Sequence, residues 1–579
     1  MRARSLARCA LLLLGLARTG GGALPQRALP LVETFPRVPA PWAPTDWRAL
    51  AADAVAFALD AARRGPFLPL LWWVPAAPAA PATFGLPSYV GARTGAGAPH
   101  ESIAGAAFVL SAALAGRNVS CMSGGGFACV DFEGLLGAYF DEGAEIWCDN
   151  VGGANMSFWY AAWVNMLPLM VAHATRSGAL LPRARHAART WLRVGAALDN
   201  DYNVSGVDFS PDGTPRGVAG DAKNYPLPAT AAGAAWLLYT TRAALGEGDA
   251  DAPALLSGAT AALDYLFSLR TNPYWEVLVP FGAALAARIN AERGASYNTS
   301  QLLDWVLQDD LPSHFPYRWG WGTIATPWAG VDVHGLTGAV TDRGGYAFAM
   351  DTFATLAALL PVARYEAQFA RALGRYAANA ANAARLFFPR FNAPGAQSDA
   401  AWVAAAGAGA DAMAYEGVRR WGFNATDSNI TGPYATGDGR AQDGLPTNIA
   451  VYGGAYVGLL SALVVPTDAP PGVAAFDLRA TDFFARPSAP TTLVYNGRAE
   501  AAALALPLPP GGPYDVYDAV AQAVVARTAR PPSARVSVAP DAAAVFVAIR
   551  AGAQLTRDEA HNWLLADGIV IDWQLAPRG

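Results

Sequence analysis

Two neighbouring stretches decide how the chain is read: Phe158-Trp-Tyr-Ala-Ala-Trp-Val-Asn-Met-Leu-Pro-Leu-Met-Val-Ala-His-Ala-Thr175 and Leu181-Pro-Arg-Ala-Arg-His-Ala-Ala-Arg-Thr-Trp-Leu-Arg193. The first is apolar nearly all round a helical wheel, so a helix here has to be covered on both sides. The second spaces apolar residues three and four apart with arginines between them, the pattern of a helix with one face in water. Both patterns recur. Apolar runs cover roughly 101–116, 156–176, 227–246, 274–293, 346–362 and 446–464, and amphipathic runs cover roughly 45–64, 180–198, 252–270 and 364–387. Apolar helices forming an inner ring, shielded by amphipathic ones, satisfy both. Six such pairs closing on themselves predict a mainly α fold, an (α/α)6 toroid of helical hairpins. The outer partners near 299–308 and 399–420 are less regular.

Beyond about residue 470 the texture changes to short β-branched or alternating runs: Thr491–Tyr495, Arg535–Val538, Ala544–Ile549 and Gly568–Asp572. These predict a small β-sandwich-like domain over 471–579, behind a toroid over 45–470. Residues 24–44 are Pro-rich and are expected to wrap the surface. At 579 residues, with 53% apolar and 15% charged residues, the chain is far from the disordered class and long enough for more than one unit. A net charge of −5 offers no broad basic face, so nucleic acid is not an expected partner.

The N-terminus reads as an export signal over 1–23. Arg2, Arg4 and Arg8 precede a short apolar core, Ala10 to Ala17, and the small residues Gly20 to Ala23 supply a cleavage point. Six N-x-Ser/Thr sequons, at Asn118, Asn155, Asn203, Asn298, Asn424 and Asn429, agree with a secreted glycoprotein. After signal removal three cysteines remain, Cys121, Cys129 and Cys148, of which one pair can bridge in an oxidising compartment. The charge-free run Ile449 to Val465 imitates a membrane span, but its three glycines and short length fit a buried helix.

The informative polar residues gather just before the apolar helices. Asp149 and Asn150 precede the second; Asp221, Lys223 and Tyr225 the third; Asn272, Tyr274 and Glu276 the fourth. Arg318, Trp319, Trp321, Trp328, Asp332, His334, Asp342, Arg343 and Tyr346 precede the fifth, with Asp351 inside it; Tyr434, Asp438, Arg440, Asp443 and Asn448 precede the sixth. Parallel inner helices would bring these segments to one rim, where sites are usually built. In the block Trp319 to His334, indole rings offer flat faces to sugar C–H bonds, and the Asp, Arg and His offer partners for hydroxyls. That composition points to a carbohydrate substrate.

Breaking a glycosidic bond needs an acid for the departing oxygen and a carboxylate to activate water or to attack. Glu276, in an apolar run that would raise its pKa, is the candidate acid; Asp332 or Asp351 is the candidate base, with His334 beside Asp332. Glu416 is a further candidate without a clear place, as is Asp438. Trp319, Trp321, Trp328, Arg318, Arg343, Tyr346, Tyr274 and Asp438 are the candidate substrate-binding residues. No phosphate loop, nucleophile elbow or His-Glu-x-x-His is present, the Asp438–Asp443 loop lacks a full calcium pattern, and no metal or cofactor is expected.

Three segments, Asn272 to Pro280, Gly344 to Asp351 and Asn379 to Phe387, together with the helix alternation over roughly 45–470, resemble the six-hairpin glycosidase superfamily. The resemblance implies (α/α)6 architecture and a hydrolase working by water attack with inversion, or a uronate lyase. A secreted glycoside hydrolase is the leading expectation. A polysaccharide lyase would instead use Tyr346 with His334, and Arg318, Arg343 and Arg440 for the uronate. A glycan-binding protein without activity is the third reading.

Overall fold

A computed structural model of the protein describes residues 23–76, 81–151, 153, 156–210, 213–218, 226–308, 321–339, 345–421, 431–437 and 445–575. Outside the described residues lie nearly all of the export signal, the sequons at Asn155, Asn424 and Asn429, and the candidates Arg318, Trp319, Arg343 and Asp438. The same holds for Asp221, Lys223, Tyr225, Asp342, Arg440 and Asp443.

The principal helices are α1 (Trp47–Ala58), α2 (Ser102–Leu114), α3 (Phe158–Thr175), α4 (Leu181–Ala197), α5 (Thr230–Leu245) and α6 (Ala252–Ser268). They continue with α7 (Leu278–Arg293), α8 (Thr299–Val306), α9 (Ala349–Leu359), α10 (Ala370–Ala384) and α11 (Val457–Leu463). The apolar helices pack on one another, α2 on α3, α3 on α5, α5 on α7 and α7 on α9, while α11 meets both α9 and α2. Helix α4 buries Ala184, Ala187, Ala188, Trp191 and Val194 on one stripe. Its outward arginines pair with acids on neighbouring segments, Arg183 with Glu142, Arg189 with Asp251 and Arg193 with Glu145. Within apolar α3 the one amide, Asn165, is fully buried and fully used. Its Oδ1 accepts from the Trp147 N–H, and its Nδ2 donates to the carbonyls of Trp147 and Ala161.

A mainly α (α/α)6 toroid is not what forms. The structure is 39% helix and 22% strand, and among the described residues its strands make eight antiparallel sheets. The fold is therefore mixed helix and sheet. The cause lies in the joints. Strands β1 (Trp321–Thr323), β2 (Thr337–Ala339), β3 (Tyr346–Phe348), β4 (Gly417–Trp421) and β5 (Thr431–Thr436) form one five-stranded antiparallel sheet in that order. In these segments glycine, aromatic and β-branched residues alternate, which favours a pleated ladder over a helix. The expected helix at 346 accordingly begins only at Ala349, and the irregular 399–420 stretch yields a short helix, Ala400–Ala406, before β4.

The C-terminal β-domain forms as expected. Strands β6 (Val473–Asp477), β7 (Thr491–Asn496), β8 (Ala502–Pro507), β9 (Tyr514–Asp518), β10 (Ala523–Ala529), β11 (Ser533–Val538) and β12 (Ala542–Arg550) follow in chain order. The main sheet runs β6–β7–β12–β9–β10, and β8 pairs with β11. Val494, Phe546, Leu504 and Val536 fill a core between the two layers. The other face of β7 and β12 packs on α10. A last antiparallel sheet joins β13 (Leu555–Asp558), β14 (Trp563–Ala566) and β15 (Ile569–Asp572).

Cys121 bridges Cys129, and Cys148 is a buried free thiol. Among the described residues no helix is long and apolar enough to cross a membrane. The span-like run Ile449 to Val465 breaks into helices Val451–Gly454 and Val457–Leu463.

Helix α11 reaches α2 through Gly458. A Cβ there would lie 2.3 Å from the Ser111 Cα, and the Gly458 N–H donates to the Ser111 Oγ at 2.9 Å. Gly458→Ala should therefore force the two backbones apart and lower stability by about 1–3 kcal/mol, measured by urea unfolding.

Candidate active site

Helix α9 carries the most heavily desolvated acid. Asp351 lies in its first turn, is fully buried, and neither carboxyl oxygen has a hydrogen-bond partner. Burial, and then the nearby charges of Glu276 and Glu416, push its pKa well above the usual carboxylate range. An unpartnered buried carboxylate is severely penalised, so the fold favours the protonated form of Asp351.

Glu416, next to β4, is buried and acts as a triple acceptor. The hydroxyls of Tyr89 and Tyr452 donate to its Oε1, and that of Tyr346 donates to its Oε2 at 3.0 Å. The register pairing Tyr346 with Arg419 sets this up. Gly417 has no Cβ where one would fall 2.4 Å from the Tyr346 ring, so the ring can lie flat across β4. The Arg419 guanidinium covers that ring at 4.6 Å and donates from Nε to the Gly437 carbonyl at 2.9 Å. Burial and the Glu416 charge hold the Tyr452 hydroxyl protonated.

Glu276 sits just before α7 and is half-buried. Its φ of 49° is left-handed, rare for a side chain with a Cβ, and it ends the expected helix extension back to 274. Tyr160 of α3 joins this group to a second acidic pair. Its hydroxyl is desolvated and feels Glu101, Glu276, Asp149 and Glu416. Glu101 precedes α2, with burial raising its pKa. Burial, and then the Glu101 charge, push Asp149 up to about 8. The Ile103 N–H donates to Asp149 Oδ1 at 3.4 Å. Five carboxyl groups from five chain segments thus share one interior region with tyrosines.

The other expected residues divide. Trp321 joins the Glu276 side, edge-on to Trp275 at 5.3 Å and near Phe348. Tyr346 is within the site, and Tyr274, fully buried, meets Thr355 at 3.3 Å beneath it. Trp321 and Trp328 are both buried, so they act as packing rather than as open sugar platforms. Asp332 and His334 belong to another neighbourhood. Their side chains pair at 2.5 Å, Ala40 N–H donates to Asp332 Oδ2 at 3.3 Å, and Phe35 lies 5.4 Å from the His334 ring. They anchor the N-terminal segment and are not among the groups acting on Asp351.

Glu101 was open to detection, because it precedes an apolar run just as Glu276 does. Tyr89 and Tyr452 carried no such signal, since only pairing across the chain brings them to Glu416. Among the described residues no group of three or more His, Cys, Asp or Glu side chains is arranged to hold a metal ion. No protein-family model matches the chain, and no curated protein matches it.

Asp351 has its proton held more tightly in the folded than in the unfolded chain, so it weakens folding as pH rises above the unfolded value near 3.8. Asp351→Asn, which mimics the neutral acid, should match the native protein near pH 4. Above that it should gain on it, by up to about 1.4 kcal/mol per pH unit, the limit for one proton. Unfolding midpoints from pH 4 to 8 test this, and a difference that does not vary with pH contradicts the assignment.

Proposed function

We propose that the protein is a secreted glycoside hydrolase whose two working carboxylates are Glu101 and Glu276. The observation that carries the reading is the pair's placement. Both are half-buried, both act on Tyr160, and each is backed by a fully buried acid, Asp149 or Asp351. Like-charged carboxyls in a desolvated site hold a proton between them at neutral pH. Glycosidic cleavage needs that combination, one protonated and one ionised carboxyl.

The Glu101–Asp149 pair, which retains its proton, is suited to protonate the leaving oxygen. Glu276 then activates water or attacks the anomeric carbon, reversing the donor role that its apolar flanks suggested. The left-handed backbone at Glu276 is the kind of strain that functional positions keep. Asp351 keeps a proton and does not act as a base; it is a positioning residue beneath Glu276. Export is supported by the Cys121–Cys129 bridge and by the exposure of the sequon residues Asn118, Asn203 and Asn298. A lyase mechanism through Tyr346 and His334 has less support, because Tyr346 already donates to Glu416 and His334 is held by Asp332.

The purified full chain should release reducing ends from a member of a neutral and uronate glycan panel, without the ultraviolet absorbance of a new C=C bond. On that substrate Glu276→Gly and Glu101→Gln should each lose about 10²–10⁴-fold in kcat. Azide should restore turnover to Glu276→Gly, and a substrate with an activated leaving group should restore it to Glu101→Gln. Asp332→Asn should keep its rate and lose about 1 kcal/mol of stability. Normal rates in both glutamate variants would remove the proposal; so would binding without turnover across the panel.

A further inference from the structure

A cavity of about 320 Å³ lies where the far end of α7 meets the β13–β14 hairpin. Glu276 precedes the N-terminus of α7, whereas Asn290 and Gly294 of this cavity sit at its C-terminus. Sixteen residues of helix separate the two ends by about 24 Å. The cavity is therefore distinct from the carboxylate site.

Its lining includes two tryptophans, Trp563 and Trp573, and the acceptor side chains of Glu366 and Gln574. Trp563 and Trp573 meet edge-to-face at 5.2 Å and form a corner, with His561 stacked on Trp563 at 4.2 Å. Asp558 Oδ2 lies 2.7 Å from His561 Nδ1. Glu366 is buried; its Oε1 accepts from Thr299 at 2.5 Å and from Asn290 Nδ2 at 3.4 Å, while its Oε2 accepts only from Gln368, at 2.9 Å, among the described side chains, which leaves room at Oε2 for one further donor. Gln574 Oε1 is buried and has no hydrogen-bond partner, a cost that a bound donor would relieve.

We infer that this cavity is a second, non-catalytic binding site for a neutral sugar ring. The volume is at the small end of the range for small-molecule sites. The parts of Trp563 and Trp573 that border the cavity offer apolar contact to the C–H side of a pyranose, and acceptors from Gln574 and Glu366 suit its hydroxyl donors. The inference does not rest on the hydrolase proposal, because it concerns binding alone.

The test uses the full chain carrying Glu276→Gln and a panel of neutral mono- and disaccharides of glucose, galactose, mannose and N-acetylglucosamine. Binding is read by tryptophan fluorescence and by saturation-transfer NMR. At least one sugar should bind saturably, and Gln574→Leu should weaken it tenfold or more. Trp563 is itself buried, so Trp563→Ala can fail for want of folding. Ala560→Trp, at an exposed position on the cavity lining, fills the site from outside and should abolish the same binding. Glu101→Gln, added to the same background, should leave it unchanged. The inference is overturned if no panel sugar binds, or if binding survives both Gln574→Leu and Ala560→Trp. Loss with Glu101→Gln instead would place the sugar in the carboxylate site and also overturn it.

Discussion

Desolvation of carboxyl groups by helices that have no polar face governs this molecule. Helices α2, α3, α7 and α9 are apolar nearly all round, so each is covered by others, and acids at their N-terminal ends are drawn into the interior with them. Asp351 shows the consequence most clearly. It is sealed in the first turn of α9 without one hydrogen bond, and the cost of charging it there exceeds the cost of keeping its proton. Asp149 and Glu101 follow the same logic at the start of α2, with their mutual charge adding to the effect of burial.

The chemistry of the site follows from how differently its carboxyls are treated. Glu416 is buried yet compensated, because three tyrosine hydroxyls donate to it. Asp351 is buried and uncompensated. Glu276 and Glu101 remain partly open to solvent, and they alone of the five can meet a substrate without a rearrangement of the core. A single acidic cluster thus contains an acceptor held by three tyrosines, Glu416, two buried acids, Asp149 and Asp351, and two partly exposed ones, Glu101 and Glu276. Opposite ends of α7 separate that cluster from the aromatic corner of Trp563 and Trp573.

Much was legible from the residues alone. The apolar and amphipathic periodicities located most helices to within a few residues, because a helix covered on two sides and a helix covered on one leave different patterns. The change of texture near 470 located the β-domain, and the rule that polar residues precede apolar helices picked out Glu276, Asp351 and Tyr346. The ring-like all-helical architecture did not survive, because Trp321–Thr323, Tyr346–Phe348 and Gly417–Trp421 pair as strands. Local periodicity does not reveal such long-range partners. Asp332 and His334 looked like site residues because they alternate in a glycine-bounded segment. They are buried in another neighbourhood because the N-terminal segment supplies Ala40 and Phe35 as partners from almost three hundred residues away.

What the sequence by itself determined is which stretches must be buried and which acids lie at their edges, since hydrophobic spacing and residue type are local properties. Only the tertiary structure decided which acids meet. The coupling of Glu101 with Asp149, of Glu276 with Asp351, and of Glu416 with Tyr89 and Tyr452 depends on distances set by packing between distant segments. The energy of a charge depends on what surrounds it rather than on what precedes it in the chain.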